Sequence, residues 1–75
     1  MPELILYHTD GCHLCEQAAA MLASAQLPFI HQDICDDEAL AERYGISIPV
    51  LARQDSEQEL CWPFDLAAVV AFVGE

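Results

Sequence analysis

Two cysteines separated by two residues, in Cys12-His13-Leu14-Cys15, are the side chains of this sequence best suited to chemistry. The apolar run Leu4 to Tyr7 and a short polar break precede them, and residues at helical spacing follow, so the pair opens a helix just after a strand. In a helix, Cα atoms three residues apart lie roughly 5 Å from each other, inside the range of about 4.4–6.8 Å that a disulfide accepts. The two sulfurs can therefore bond and part with little backbone movement. A helix N-terminus also presents unpaired N–H groups and a partial positive charge, which favour a thiolate on Cys12 over one on the more interior Cys15. Cys12 is thus the expected nucleophile, with a pKa below the free-thiol value of about 8.5, and Cys15 the expected resolving thiol. Attack on a substrate disulfide would give a mixed disulfide on Cys12, which Cys15 displaces by closing the Cys12–Cys15 bond.

His13 adds positive charge beside Cys12 when protonated, whereas Asp10 and Glu16 oppose a thiolate. His8 and His31 read as ordinary strand residues, of which His8, at a strand end facing the motif, has the better claim to a function. Cys35 and Cys61 stand alone and read as small buried hydrophobes, and Trp62 and Phe64 as core or rim. A zinc site would need two ligands beyond the close pair. Cys35, Cys61, His8, His13 and His31 are available, but no second C-x-x-C and no H-x-x-x-H spacing supports one, so no metal is expected.

The elements that must position the pair follow from the hydrophobic pattern. Leu4 to Tyr7 suits a central strand buried on both faces, and Thr9-Asp10-Gly11 breaks it. From about Cys12, Leu14, Ala18, Leu22 and Ala25 recur at helical spacing until Pro28, with Glu16 in the first turn. Phe29 to Ile34 alternates as a less buried edge strand. Asp36 or Asp37 can cap a short second helix carrying Leu40 and Tyr44 and ending at Gly45. Ile48 to Arg53, the turn Gln54 to Glu57, and Gln58 to Trp62 read as a hairpin. After Pro63, Asp65 can cap a last helix in which Leu66, Val69, Val70 and Val73 trace one face up to Gly74. The order βαβαββα implies an α/β fold with a mixed four-stranded sheet and helices on both faces.

The chain has 75 residues, room for one small domain over 1–75, and its 55% hydrophobic content is enough for a core. Its longest apolar stretches fall far short of the roughly 18 to 20 residues that span a bilayer. Met1-Pro2-Glu3 lacks the marks of a secretory signal, so a cytoplasmic location is expected. Without such a signal, the 4 cysteines read as reactive or buried thiols rather than as a secreted disulfide scaffold. Only Arg43 and Arg53 oppose 13 acidic residues, and a net charge of −11 repels phosphate backbones and anionic lipids. Nucleic acid and membranes are therefore excluded as expected partners; the acids read first as keeping a small protein soluble, and a preference for basic partner proteins is the sharper alternative.

The sequence resembles the glutaredoxin-like branch of the thioredoxin superfamily, in its small bacterial form, over essentially the whole chain. The residues that carry the resemblance are Cys12-His13-Leu14-Cys15 after the first strand, Ser47-Ile48-Pro49-Val50 before the hairpin, and Asp65 opening the last helix. The resemblance implies a thioredoxin-like fold with strand order 2-1-3-4. It also implies a cis Ile48–Pro49 bond beside the cysteines, where the backbone of Ile48 can pair with an extended thiol substrate. It makes Cys12 and Cys15 the catalytic residues and His13, Ile48, Pro49 and Asp65 the substrate-binding ones. The implied function is thiol–disulfide oxidoreduction by a monomer acting on protein or small-molecule disulfides, with glutathione as a co-substrate and no bound cofactor. The alternative is a non-enzymatic binding module of the same fold that uses its acidic surface.

Three departures from the family pattern bear on glutathione. His13-Leu14 replaces the tyrosine-type dipeptide between the cysteines, Trp62-Pro63 replaces the glycine pair before the last helix, and the lysine just before the motif is absent. With so few cations, the carboxylates of glutathione are expected to be held weakly, mainly through backbone groups near Pro49 and Asp65. In the implied topology Cys35 and Cys61 lie toward opposite sheet edges, separated by three strand spacings or roughly 14 Å, too far for a mutual disulfide.

Overall fold

The computed structural model describes residues 3–55 and 58–74. The readings that fall on Met1, Pro2, and the Ser56 and Glu57 of the hairpin turn lie outside the described residues. The elements are β1 (Leu4–His8), α1 (His13–Ser24), β2 (Ile30–Asp33), a 3-10 turn (Ile34–Asp36), α2 (Glu38–Tyr44), β3 (Val50–Arg53), β4 (Glu59–Cys61) and α3 (Leu66–Val73). The sheet order is β2-β1-β3-β4, with β1 and β2 parallel and the other pairs antiparallel. The central place of β1 and the edge place of β2 agree with their hydrophobic patterns.

Because strand side chains alternate, β1 feeds two cores. Leu4 and Leu6 pack with Ala18 and Leu22 of α1, Leu51 of β3, and Val69 and Phe72 of α3. Leu4, Leu6, Leu22 and Leu51 are fully buried, and burial of each contributes about 2 kcal/mol. On the other face Tyr7 packs with Ile34, Tyr44 of α2 and Val50. The Tyr7 and Tyr44 rings stack at 4.3 Å, and the Tyr44 hydroxyl donates to the Glu59 carboxylate. Burial and this carboxylate push the Tyr44 hydroxyl well above its ordinary pKa. Helices thus cover both faces.

Several local details differ from the sequence reading. The inward face of α1 is Cys15, Ala18 and Leu22, while Leu14 is 43% exposed. On α3 it is Val69 and Phe72 that are buried, and Leu66 and Val70 face outward. Both shifts follow from 3.6-residue periodicity, which lets either of two adjacent apolar stripes face the sheet. α1 stops before Pro28: Gln26, at φ 59°, donates to Ala23 O while Leu27 donates to Leu22 O, the two bonds of a Schellman end. Ile34 leaves the strand for a 3-10 turn because the Asp33 carboxylate accepts from the Cys35 N–H at 2.9 Å. Asp37, not Asp36, caps α2, accepting from Ala39 N at 2.9 Å.

Candidate dithiol site

The C-terminal end of β1 and the N-terminus of α1 are joined by Thr9-Asp10-Gly11-Cys12. Gly11 has φ +78°, a left-handed conformation that lets the chain turn sharply from strand to helix and that a side chain would strain. Cys12 is the N-cap of α1: its backbone is extended, its Sγ accepts from Cys15 N at 3.2 Å and its carbonyl accepts from Glu16 N at 3.1 Å. The Sγ of Cys12 therefore sits among helix N-terminal N–H groups, the setting that stabilises a thiolate. Cys15 is only 4% exposed and packs inward, while Cys12 is half-buried. The two sulfurs stand at disulfide distance, with Cα atoms 5.2 Å apart.

Register brings the entry to β3, next to Ile48 and Pro49, to this end of the sheet. Val50 lies opposite Tyr7 and Cys61 opposite Val50, so the entry to β3 and the exit from β4 share the end where β1 meets α1. The Ile48–Pro49 bond is cis, as the resemblance implied, and so is Trp62–Pro63. Pro49 is fully buried and its carbonyl accepts from Trp62 N at 3.2 Å. Ile48 packs against the second core and its N–H is taken up by Tyr44 O at 3.2 Å. Asp65 caps α3, accepting from Ala68 N at 2.8 Å. His13 projects into solvent 4.0 Å from Glu16, and a pair so exposed adds little energy.

Cys35 and Cys61 are both free and exposed, which corrects the reading of them as buried hydrophobes. Cys35 follows buried Ile34 on a 3-10 turn and itself faces solvent, and Cys61 lies on the edge strand β4. The Cys35 sulfur lies 3.2 Å from the Thr9 hydroxyl. They flank opposite edges of the sheet, as the implied topology requires. Among the described residues, no group of three or more His, Cys, Asp and Glu side chains is placed to hold a metal ion. No described helix is long and apolar enough to cross a membrane.

A cavity of about 230 Å³ opens between β1, β2 and α1, and Leu6, His8, Cys15 and His31 line it. His31 reaches it because parallel pairing sets it opposite Leu6, and its ring meets that of His8 edge-on at 5.2 Å. That proximity of His31 was not legible in spacing, since it depends on the register of a strand pair 25 residues apart in the chain.

The model of the glutaredoxin-like domain (DUF836) matches residues 3–74. The chain belongs to this glutaredoxin-like family. Solved structures agree with the assignment. The crystal structure of protein XcR50 from X. campestris is 43% identical, with a TM-score of 0.85 over 95% of each chain. Its solution structure gives a TM-score of 0.83 over 99% of this chain and 94% of that one. Protein Ne2328 from Nitrosomonas europaea is 31% identical, with a TM-score of 0.80 over 96% of this chain and 92% of the other. No curated protein matches the chain. In this glutaredoxin-like domain of thioredoxin-like fold, the Cys12–Cys15 pair fits a thiol redox role.

Proposed function

We propose that this protein is a thiol–disulfide oxidoreductase in which Cys12 attacks a protein or small-molecule disulfide and Cys15 resolves the mixed disulfide. The observation that carries the reading is the asymmetry of the pair: Cys12 caps α1 with its Sγ accepting a backbone N–H, whereas Cys15 is buried one turn inside. The first setting favours a thiolate and access, and the second suits a thiol that acts only within the molecule. The reaction balances as two exchanges. The Cys12 thiolate displaces one substrate thiolate and forms a mixed disulfide, then the Cys15 thiolate displaces the second and leaves the protein oxidised.

The proposed substrate-binding groups are Ile48, through its carbonyl because its N–H is taken by Tyr44, the backbone around buried Pro49, the N-terminus of α3 behind Asp65, and exposed His13 beside Cys12. The acidic surface favours basic protein disulfides over anionic ones, and glutathione serves as a weakly held co-substrate. We place the protein in the cytoplasm, acting as a monomer. Catalytic turnover of a model disulfide under a reducing system tests the enzymatic reading. Many turnovers per protein are expected, and reaction that stops at one equivalent would favour a binding module instead.

A further inference from the structure

The proposed exchange leaves one proton unassigned. Cys15 must become a thiolate before it can attack, yet it is 4% exposed, and burial in a medium of low dielectric disfavours a charged sulfur. Its inner side opens on the 230 Å³ cavity that it shares with His8 and His31, a volume with room for water. Leu4, Leu6 and His8 alternate onto the α1 face of β1, which aims the half-buried His8 ring into the space below α1.

We propose that His8, acting through the cavity, is the base that takes the proton of Cys15 when a mixed disulfide on Cys12 is resolved. The Cys15 thiol gives its proton to the neutral imidazole, and the resulting thiolate attacks the Cys12 sulfur. The Cys12–Cys15 bond forms, the bond from Cys12 to the substrate sulfur breaks, and the substrate leaves as a thiolate. In the reverse direction the imidazolium returns the proton to Cys15.

The groups that face His8 suit this role. Across the strand pair Asp33 stands opposite it, and Asp10 and Glu16 are among the residues lining the cavity, so negative charge lies near the imidazolium that forms. The His31 ring meets His8 edge-on and is itself held against Phe29 at 4.7 Å, which fixes the His8 ring from the β2 side. Asp10 and Glu16 are exposed carboxylates, whereas imidazole is the side-chain type best suited to take and return a proton at neutral pH. His31 is exposed on the edge strand, whereas His8 lies on the central strand that leads directly to the cysteines.

The inference rests on the dithiol reading, and one assay separates the two. Reduced protein mixed with 5,5′-dithiobis(2-nitrobenzoate) releases one chromophore on attack by Cys12 and a second on resolution by Cys15. A Cys35→Ser, Cys61→Ser parent removes the two exposed thiols that would add signal. In that parent, His8→Gln is expected to slow the second release at least about ten-fold near pH 7 and to leave the first within about two-fold. The gap should narrow as the pH is raised from about 7 to about 9.5, because hydroxide increasingly removes the proton without the imidazole. Carbethoxylation of the parent's histidines should slow the same phase without any substitution. A second phase unchanged by both treatments, or slowed equally at both pH values, overturns the role of His8 and leaves the dithiol reading intact. A parent with no second phase overturns both.

Discussion

Replacing Arg53 by methionine tests how the hairpin holds the last helix. α3 carries no basic residue in its final turn, so its C-terminal carbonyls, the negative end of the helix dipole, have no cation from their own helix. Arg53, 7% exposed at the end of β3, supplies one: its Nη1 donates to Phe72 O at 2.7 Å, and its guanidinium lies 5.8 Å from the Phe72 ring centre. The same guanidinium holds Asp55 through bonds of 3.0 and 2.8 Å, but Asp55 is 49% exposed and its pairing adds little. A hydrogen bond from a charged donor to a buried carbonyl contributes about 1.5–3 kcal/mol, and the charge–dipole attraction about 0.3–1 kcal/mol. Methionine keeps most of the apolar stem, so the loss should be close to the sum of these, about 2–4 kcal/mol. For a domain of this size that lowers Tm by at least about 8 °C. Thermal and urea unfolding followed by far-ultraviolet circular dichroism would read it, with Asp55→Asn as the control expected to shift far less. An Arg53→Met protein within about 2 °C of the parent would show that an apolar side chain replaces the buried cation without loss and that the bond to Phe72 O does not hold α3.

The two active cysteines should fail differently when changed. Cys12→Ser should abolish adduct formation with oxidised glutathione at the motif, whereas Cys15→Ser should accumulate a mixed disulfide on Cys12. Peptide mass spectrometry distinguishes them, and an adduct on Cys15 in the first variant with none on Cys12 in the second would reverse the roles. Acid should weaken the fold in a defined window. The Cys35 amide holds the Asp33 carboxyl below its usual range and the Arg53 side chain does so for Asp55. Their stabilisation is complete above the unfolded value near 3.9 and is lost as pH falls through the lower folded values. The urea midpoint should therefore drop below about pH 4, and a double Asp33→Asn, Asp55→Asn variant with an equally steep acid limb would count against this. Calorimetry of reduced glutathione on the reduced protein should show binding weaker than micromolar, and a micromolar Kd would mean that backbone groups suffice where the family's lysine and glycine pair are absent.

Much of the architecture could be read before any coordinates because local signals and global fold agree in this chain. The Leu4–Tyr7 run, the turn glycine Gly11, the caps at Asp37 and Asp65 and the C-x-x-C at a helix start each point to the observed element, and the order of elements leaves few sheets to build. What escaped depended on contacts between distant segments. Cysteine is often buried, but Cys35 and Cys61 fall on an outer turn and an edge strand, and only the strand order reveals that. The spacing puts Leu14 on the inward stripe of α1, where the structure has Cys15, because helical periodicity cannot choose between neighbouring apolar stripes. The left-handed Gln26 carries no glycine to announce it. Arg53 resembles any polar residue at a strand end, and its burial follows only from α3 folding back over it.

A reversible dithiol–disulfide couple between Cys12 and Cys15 is what the proposed function requires. Equilibrating the protein in glutathione buffers of graded potential, trapping free thiols by alkylation and mapping them by mass spectrometry measures it directly. A helix N-terminus and one adjacent histidine place the expected potential between about −180 and −270 mV, with both cysteines appearing and disappearing together in a single two-electron step. Cysteines that titrate independently, or that show no interconversion across the whole range, would contradict the account.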